Sequence, residues 1–463
     1  MNLQENQTLC AVSTAPGTGA IAIVRVSGPD ALRLAGRVVK PRVPLEEQSS
    51  GTVRRARVMD GGRMVDDVMV SVFRAPRSFT GEDTVEVACH GSVYIQREIL
   101  RLLIGAGCRM ATAGEFTKRA FLNGKMDLAE AEAVADLIAS ESASAHRLAL
   151  SQLRGGISGE LKAMRAQLLE LTSLLELELD FAEEDVEFAD RGRLSELCGR
   201  IEAKTRRLAE SFKVGDALKN GIPVAIVGET NAGKSTLLNR LVGEERAIVS
   251  DVHGTTRDLI EDQAVIDGVR FRFIDTAGLR DTADAVEHMG IERSYGAMEK
   301  AAVVLWVLDA TRAAEHWKDV ADRVLPRCAG KDLIVVLNKS DRLDAAGREA
   351  LDGLLAEIGA PRLFLSAKYD EDLSPLTAEL TRVSRVAELD RDEVLVTNMR
   401  HYEALVRALG AIVRVREGLT AGLSGELVSM DLRECLSALG SIVGEVASEE
   451  VLASIFSKFC IGK

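Results

Sequence analysis

Residues 228–235 read Gly-Glu-Thr-Asn-Ala-Gly-Lys-Ser, directly after the apolar run Val224–Val227. A strand, a glycine-rich loop and a helix in that order make a phosphate cradle. Gly228 and Gly233 let backbone N–H groups curl around an anion. Lys234 can reach β and γ oxygens, and Ser235 can ligate Mg²⁺. The short apolar runs Phe271–Ile274, Val303–Leu308, Leu333–Leu337 and Leu363–Leu365 follow, most of them separated by helical patterns. Residues 219–383 therefore read as a doubly wound α/β sheet.

Four further motifs fall at the ends or between the runs of that sheet. Asp275-Thr276-Ala277-Gly278 ends the run Phe271–Ile274, where an Asp can hold the Mg²⁺ shell and the Gly278 amide can meet a γ-phosphate. Gly254-Thr255-Thr256-Arg257-Asp258 precedes it, and a Thr hydroxyl there can complete the magnesium shell and sense the γ-phosphate. Asn338-Lys339-Ser340-Asp341 follows Leu333–Leu337. The Asp341 carboxylate can accept from guanine N1–H and its exocyclic amine, a pair of donors that adenine does not offer. Ser366-Ala367-Lys368 follows Leu363–Leu365 and suits the loop that supports the base. The five motifs in this order predict binding and hydrolysis of GTP.

The water-positioning group is not evident from spacing. Many Ras-type GTPases carry Gln after Asp-x-x-Gly, and here the residue is Leu279. Asp281, Asp284, Glu287 and Glu292 are acidic candidates that spacing does not separate. Arg257 and Arg280 are candidate arginine fingers, and Asn231 could instead give a carbonyl oxygen to a monovalent cation.

The rest of the chain differs in texture. Residues 1–120 are mixed α+β, with β-rich runs Ile21–Val26, Val65–Phe73 and Thr84–Cys89 and a helix over Val93–Ile104 stopped by Gly105 and Gly107. Residues 127–218 carry apolar residues at helical spacing, including Leu161, Met164, Leu168, Leu171, Leu175 and Leu179, with a break at Gly155-Gly156. Residues 385–463 return to amphipathic helices. Helical texture on both sides of the sheet is read most economically as one helical domain with a GTPase domain inserted into it; two separate helical domains are the alternative. No apolar stretch is long enough for a membrane span. The N-terminus lacks a signal-peptide pattern, and seven Cys without a Cys-x-x-Cys pair point to the cytoplasm. A net charge of −13 argues against broad electrostatic binding to nucleic acid.

These residues resemble the MnmE (TrmE) family of tRNA modification GTPases over essentially the whole chain. The resemblance rests on the GTPase motifs, on Ile23–Gly28, Ser78–Asp83, Gly114–Thr117 and Arg119–Lys125, and on the terminal Phe459-Cys460-Ile461-Gly462-Lys463. It implies a multidomain α/β protein. Residues 1–122 would form an α+β folate-binding-like domain that dimerises. Residues 123–218 and 384–463 would form a discontinuous α-helical domain, and 219–383 an inserted Ras-like P-loop GTPase domain. It further implies a K⁺-activated homodimer working with the flavoprotein MnmG. Together they would add an aminomethyl or carboxymethylaminomethyl group to C5 of the wobble uridine of certain tRNAs. The one-carbon unit would come from 5-formyl- or 5,10-methylene-tetrahydrofolate, bound by Arg25, Glu82, Lys125 and Lys463. Asn231, Ser250, Val252 and Thr255 match the K⁺ loop, Ser235 and Thr256 the Mg²⁺ ligands, and Glu287 the water-positioning acid. The GTP contacts would be Asn231, Ala232, Gly233, Lys234, Ser235, Thr236, the stretch Ser250-Asp251-Val252-His253-Gly254-Thr255-Thr256, Asp275–Gly278, Asn338, Lys339, Asp341 and Ser366–Lys368.

The chain departs from many members at Thr230, at His253 and in Pro16–Gly19, which lacks an Arg. Cys460 reads either as a nucleophile beside the one-carbon carrier or as a small buried residue. Two competing readings exist. In a ribosome-assembly or switch GTPase of the Era or Der kind, the flanks would be RNA-binding modules, which the acidic balance disfavours. In a helical scaffold with a degenerate nucleotide site, the intact Lys234, Asp275 and Asp341 would have no purpose.

Overall fold

The computed structural model describes residues 7–180, 191–244, 262–274, 296–369, 373–384 and 394–462. These pack into two compact units. The first draws on Met1–Ala135, Gln152–Thr205 and Ala404–Lys463, the second on Asp136–Ser151 and Arg206–Glu403. Each boundary falls inside a helix: Leu128–Ala139, Ala143–Leu153, Arg191–Asn220 and Met399–Thr420.

The first unit contains a seven-stranded sheet. Its strands are β1 (Leu9–Val12), β2 (Ile21–Ser27), β3 (Val39–Pro41), β4 (Thr52–Asp60), β5 (Arg63–Phe73), β6 (Thr84–His90) and β7 (Arg109–Met110), in the order β3-β4-β5-β6-β2-β1-β7. All neighbours are antiparallel except β1 and β7. Alternation decides which face is covered. Ala22, Val24 and Val26 of β2 and Val85, Val87 and Cys89 of β6 are buried against the helices Ala31–Val38 and Val93–Ala106. The second of these helices runs past Gly105 to Ala106. It stops where Gly107 takes φ +117° and returns its N–H to the carbonyls of Leu103 and Ile104.

The helical stripe of the sequence lies on Gly156–Asp180, separated from Ala143–Leu153 by Gly155 at φ +83°. Leu161, Met164 and Leu168 are buried, and this helix packs on Gly425–Val443. At Gly440 the Arg165 guanidinium packs tightly, since its atoms would lie only 3.1–3.2 Å from a Cβ there. Arg165 donates to the Leu436 carbonyl at 3.3 Å and pairs with Glu445.

The C-terminal segment returns to the sheet of the same unit. Ile461 bridges Ala113, and Gly114 N–H donates to the Cys460 carbonyl at 3.4 Å. Gly462 takes φ +100°, and a Cβ there would sit 2.0 Å from the Val12 carbonyl oxygen. Only glycine fits such a backbone-to-backbone approach.

The second unit carries a six-stranded sheet. β8 (Ile222–Val227), β9 (Asp262–Ile266), β10 (Val269–Phe273), β11 (Val303–Asp309), β12 (Asp332–Asn338) and β13 (Arg362–Phe364) run in the order β13-β12-β11-β8-β10-β9. Only β9 is antiparallel, joined to β10 by a two-residue turn with Asp267 at φ +50° and Gly268 at φ +77°. Val224, Ile226, Leu305 and Val336 enter one core; Ala225, Val227, Val304, Trp306, Val335 and Leu337 enter the other. Burial on both faces explains why these strands read as unbroken apolar runs. Among the described residues no helix is long and apolar enough to cross a membrane.

Replacing Gly462 by Ala should release the terminal segment, at a local cost of about 1–3 kcal/mol. Amide hydrogen exchange at Gly114 would then speed up while that of β2 and β6 stays unchanged. An unchanged Gly114 rate would refute the docking described.

Candidate functional site

The second unit brings the motif residues among its described residues to the C-terminal ends of its parallel strands, where ligands bind in open α/β sheets. Gly228 leaves β8 with φ +148°, and a Cβ there would lie 2.0 Å from the Val307 carbonyl oxygen. Asn231 is held at φ +64°. Gly233 has φ +96°, and its Cβ would overlap the Asn338 amide nitrogen at 2.0 Å. The loop is thus shaped by close backbone approaches, and its N–H groups lead into the helix Lys234–Glu244. The Lys234 ammonium donates to the carbonyls of Gly228 (2.8 Å) and Glu229 (2.7 Å). Burial, only partly offset by the Glu229 charge, holds its pKa below the usual lysine range. Ser235 is half-buried and Thr236 exposed at the start of the helix.

Asn338 joins three loops. Its side chain is buried; Nδ2 donates to the Ala232 carbonyl at 2.7 Å, and Oδ1 accepts from the Ala367 N–H at 2.8 Å. Ser340 N–H adds a bond to the Leu365 carbonyl at 3.2 Å. The loops that carry Gly228–Ser235, Asn338–Asp341 and Ser366–Lys368 are therefore one assembly. Asp341 is exposed on the turn Ser340–Arg342, and the Lys368 amine sits 4.9 Å from the Tyr369 ring centre. Lys339, at φ +62°, donates to Asp309 at 2.7 Å. Asp309 was not singled out from sequence, although an acid ending an apolar strand at this edge is a usable signal. Ser250–Thr256, Asp275–Gly278 and Glu287 lie outside the described residues, as does Lys463.

A second cluster occupies the first unit. Arg25 on β2 pairs with Glu86 on β6 at 2.8 Å, its cross-strand neighbour. The Arg25 guanidinium lies 5.4 Å from the Phe79 ring centre and 5.5 Å from that of Phe116. Glu82 accepts from Ser27 Oγ at 2.8 Å and from Arg119 Nη1 at 2.9 Å. Arg119 is 5 % exposed and also donates to the Gln7 carbonyl at 2.7 Å. Lys125 donates to the Pro76 carbonyl at 3.0 Å, and its stem packs beside Gly81 at φ +79°. Arg25, Glu82 and Lys125 are thus all anchored to the Phe79–Glu82 loop or to the strands next to it. Sequence reasoning missed the roles of Arg119 and Glu86, since the spacing between ion-pair partners far apart in sequence carries no signal. Cys460 is exposed, which removes its reading as a small buried residue; the other six cysteines are buried.

Comparison with known proteins covers the same regions. Residues 8–125 match the model of the GTP-binding protein TrmE N-terminus, and residues 128–460 match that of the MnmE helical domain. The tRNA modification GTPase MnmE of Bacteroides fragilis is 53% identical over 98% of this chain and 99% of its own. That of Parabacteroides distasonis is 52% identical over 98% and 100%. Among solved structures, a variant of Aquifex aeolicus Era bound to GDP.AlF4- matches 41% of this chain and 65% of its own, at 27% identity and a TM-score of 0.28.

Removing the Arg119 side chain should leave the half-buried Glu82 carboxylate without its cation, held by the Ser27 hydroxyl alone, a destabilisation of about 3 kcal/mol. In urea unfolding, Arg119→Ala together with Glu82→Ala should lose less stability than the sum of the two single changes. Additive losses would show that the pair is not energetically coupled.

Proposed function

The chain belongs to the MnmE family of tRNA modification GTPases, and we propose that it hydrolyses GTP while modifying tRNA. The observation that carries the GTP reading is the Asn338 carboxamide, which binds the phosphate loop to the guanine-reading loop. Asp341, exposed on that loop, would take two hydrogen bonds from guanine and be left unpaired by adenine. Lys234 would turn from its backbone carbonyls to the β and γ oxygens. Its lowered pKa marks a charge that burial disfavours, so phosphate pairing would be strongly favourable there. Mg²⁺ on Ser235 and Thr256, and K⁺ on Asn231, Ser250, Val252 and Thr255, would offset the negative charge of the phosphates. Glu287 would orient the attacking water, which Leu279 cannot do.

In the first unit, Arg25, Glu82, Lys125 and Lys463 would hold a tetrahydrofolate that supplies a one-carbon unit. Arg25 supports this reading: its cation lies beside the partly exposed Phe79 ring, and the two together would meet a flat conjugated ring. Family membership supports the rest. The protein would act in the cytoplasm as a homodimer with the flavoprotein MnmG, on C5 of the wobble uridine. The chain's flanking regions match the TrmE N-terminal and MnmE helical models, which displaces the ribosome-assembly alternative.

GTP turnover should be markedly faster in K⁺ than in Na⁺ at equal ionic strength, and equal rates would count against the K⁺ loop. Glu287→Ala should keep nucleotide affinity and lose about 10²-fold or more in turnover. Unchanged turnover would remove its role. Calorimetry with 5-formyltetrahydrofolate tests the first-unit site, and no heat of binding would reject it. Wobble-uridine analysis of tRNA from cells lacking the protein tests the pathway assignment.

A further inference from the structure

We propose that Asp309 is a positioning residue of the guanine pocket: it fixes the Lys339 side chain and thereby sets how long a guanine nucleotide stays bound. The proposal rests on the GTP reading above and adds a residue to it. β11 ends at Asp309 and β12 at Asn338, and the parallel register sets these two residues side by side. Ala310 N–H donates to the Asn338 carbonyl at 2.9 Å, which ties the two strand ends together.

The carboxylate divides its two oxygens. Oδ1 accepts from the Thr311 hydroxyl at 2.7 Å and from the Thr311 N–H at 3.1 Å. Oδ2 accepts from Lys339 Nζ at 2.7 Å. Thr311 thus fixes the rotamer of Asp309, and Asp309 in turn fixes the far end of Lys339. The near end is also fixed, because Lys339 takes φ +62° between Asn338, locked by two hydrogen bonds, and the turn that carries Asp341.

A lysine stem is flexible and becomes a defined wall only when both of its ends are held. Held in this way, its methylenes form a rigid apolar edge two residues from the carboxylate that reads the base. Asp309 stays ionised for this task. Burial pushes its carboxyl up, but Lys339 and both Thr311 donors outweigh that, so its pKa lies below the usual carboxylate value.

The test is release of a fluorescent GDP from the full-length protein, followed by stopped flow. Asp309→Ala should speed release by roughly tenfold, and Lys339→Ala by a similar factor. The double variant should release no faster than the faster single one. Asp309→Asn keeps an acceptor for Lys339 and should lie between Asp309→Ala and the unsubstituted protein, which covers the case in which Asp309→Ala fails to fold. An unchanged release rate in Asp309→Asn and Asp309→Ala overturns the proposal. Multiplicative effects in the double variant overturn it as well, because Asp309 would then act on the nucleotide by another route. Asp341→Asn is the separate control for the GTP reading and should shift preference from GDP towards xanthosine diphosphate. If that preference does not move, the guanine-reading assignment itself fails, whatever Asp309 does.

Discussion

One buried carboxamide organises the nucleotide site. Asn338 gives its amide to the phosphate loop at Ala232 and takes the Ala367 N–H from the third loop. Both groups are out of water, so losing the Asn would leave a carbonyl and an N–H unpaired, at about 1–3 kcal/mol each. The same side chain accounts for Gly233, whose Cβ would collide with it. Two motifs far apart in the chain therefore constrain each other directly. The sheet supplies the alignment, since β8, β11, β12 and β13 are parallel and bring their C-terminal ends to one edge.

The legible parts of the sequence were those whose physics is local. β8, β11 and β12 announce themselves because both faces are buried and nearly every residue is apolar. β4 does not: Arg54, Arg55 and Arg57 of Thr52–Asp60 are exposed, and only Ala56 and Val58 enter the core. Its partner β5 was legible because Val68, Val70 and Val72 alternate cleanly. β9 is five residues long and is defined by its pairing with β10 rather than by its own composition. The glycine-rich loop was legible for an equally local reason, because its positive φ angles demand glycine at Gly228 and Gly233.

What was not legible is partnership across the chain. Arg119 lay in a recognised string, yet its pairing with Glu82 and with the Gln7 carbonyl exists only once the helix Glu115–Leu122 meets the sheet. Glu86 is matched to Arg25 by strand register, which composition does not state. Asp309 belongs to this class too. Its acid is visible in the sequence, but its task depends on Thr311 on one side and Lys339 on the other.

The terminal string shows the same logic with a different consequence. Phe459–Gly462 is recognisable as a pattern, but what fixes it is backbone: the bridge to Ala113, the bond from Gly114 and the close seat of Gly462 on Val12. Phe459 adds an apolar anchor beside Phe456. None of these contacts uses the Cys460 side chain. A segment held by main chain and by its neighbours leaves that thiol exposed, whereas the six buried cysteines pack as small hydrophobes. Packing within this chain therefore does not explain a Cys at this position.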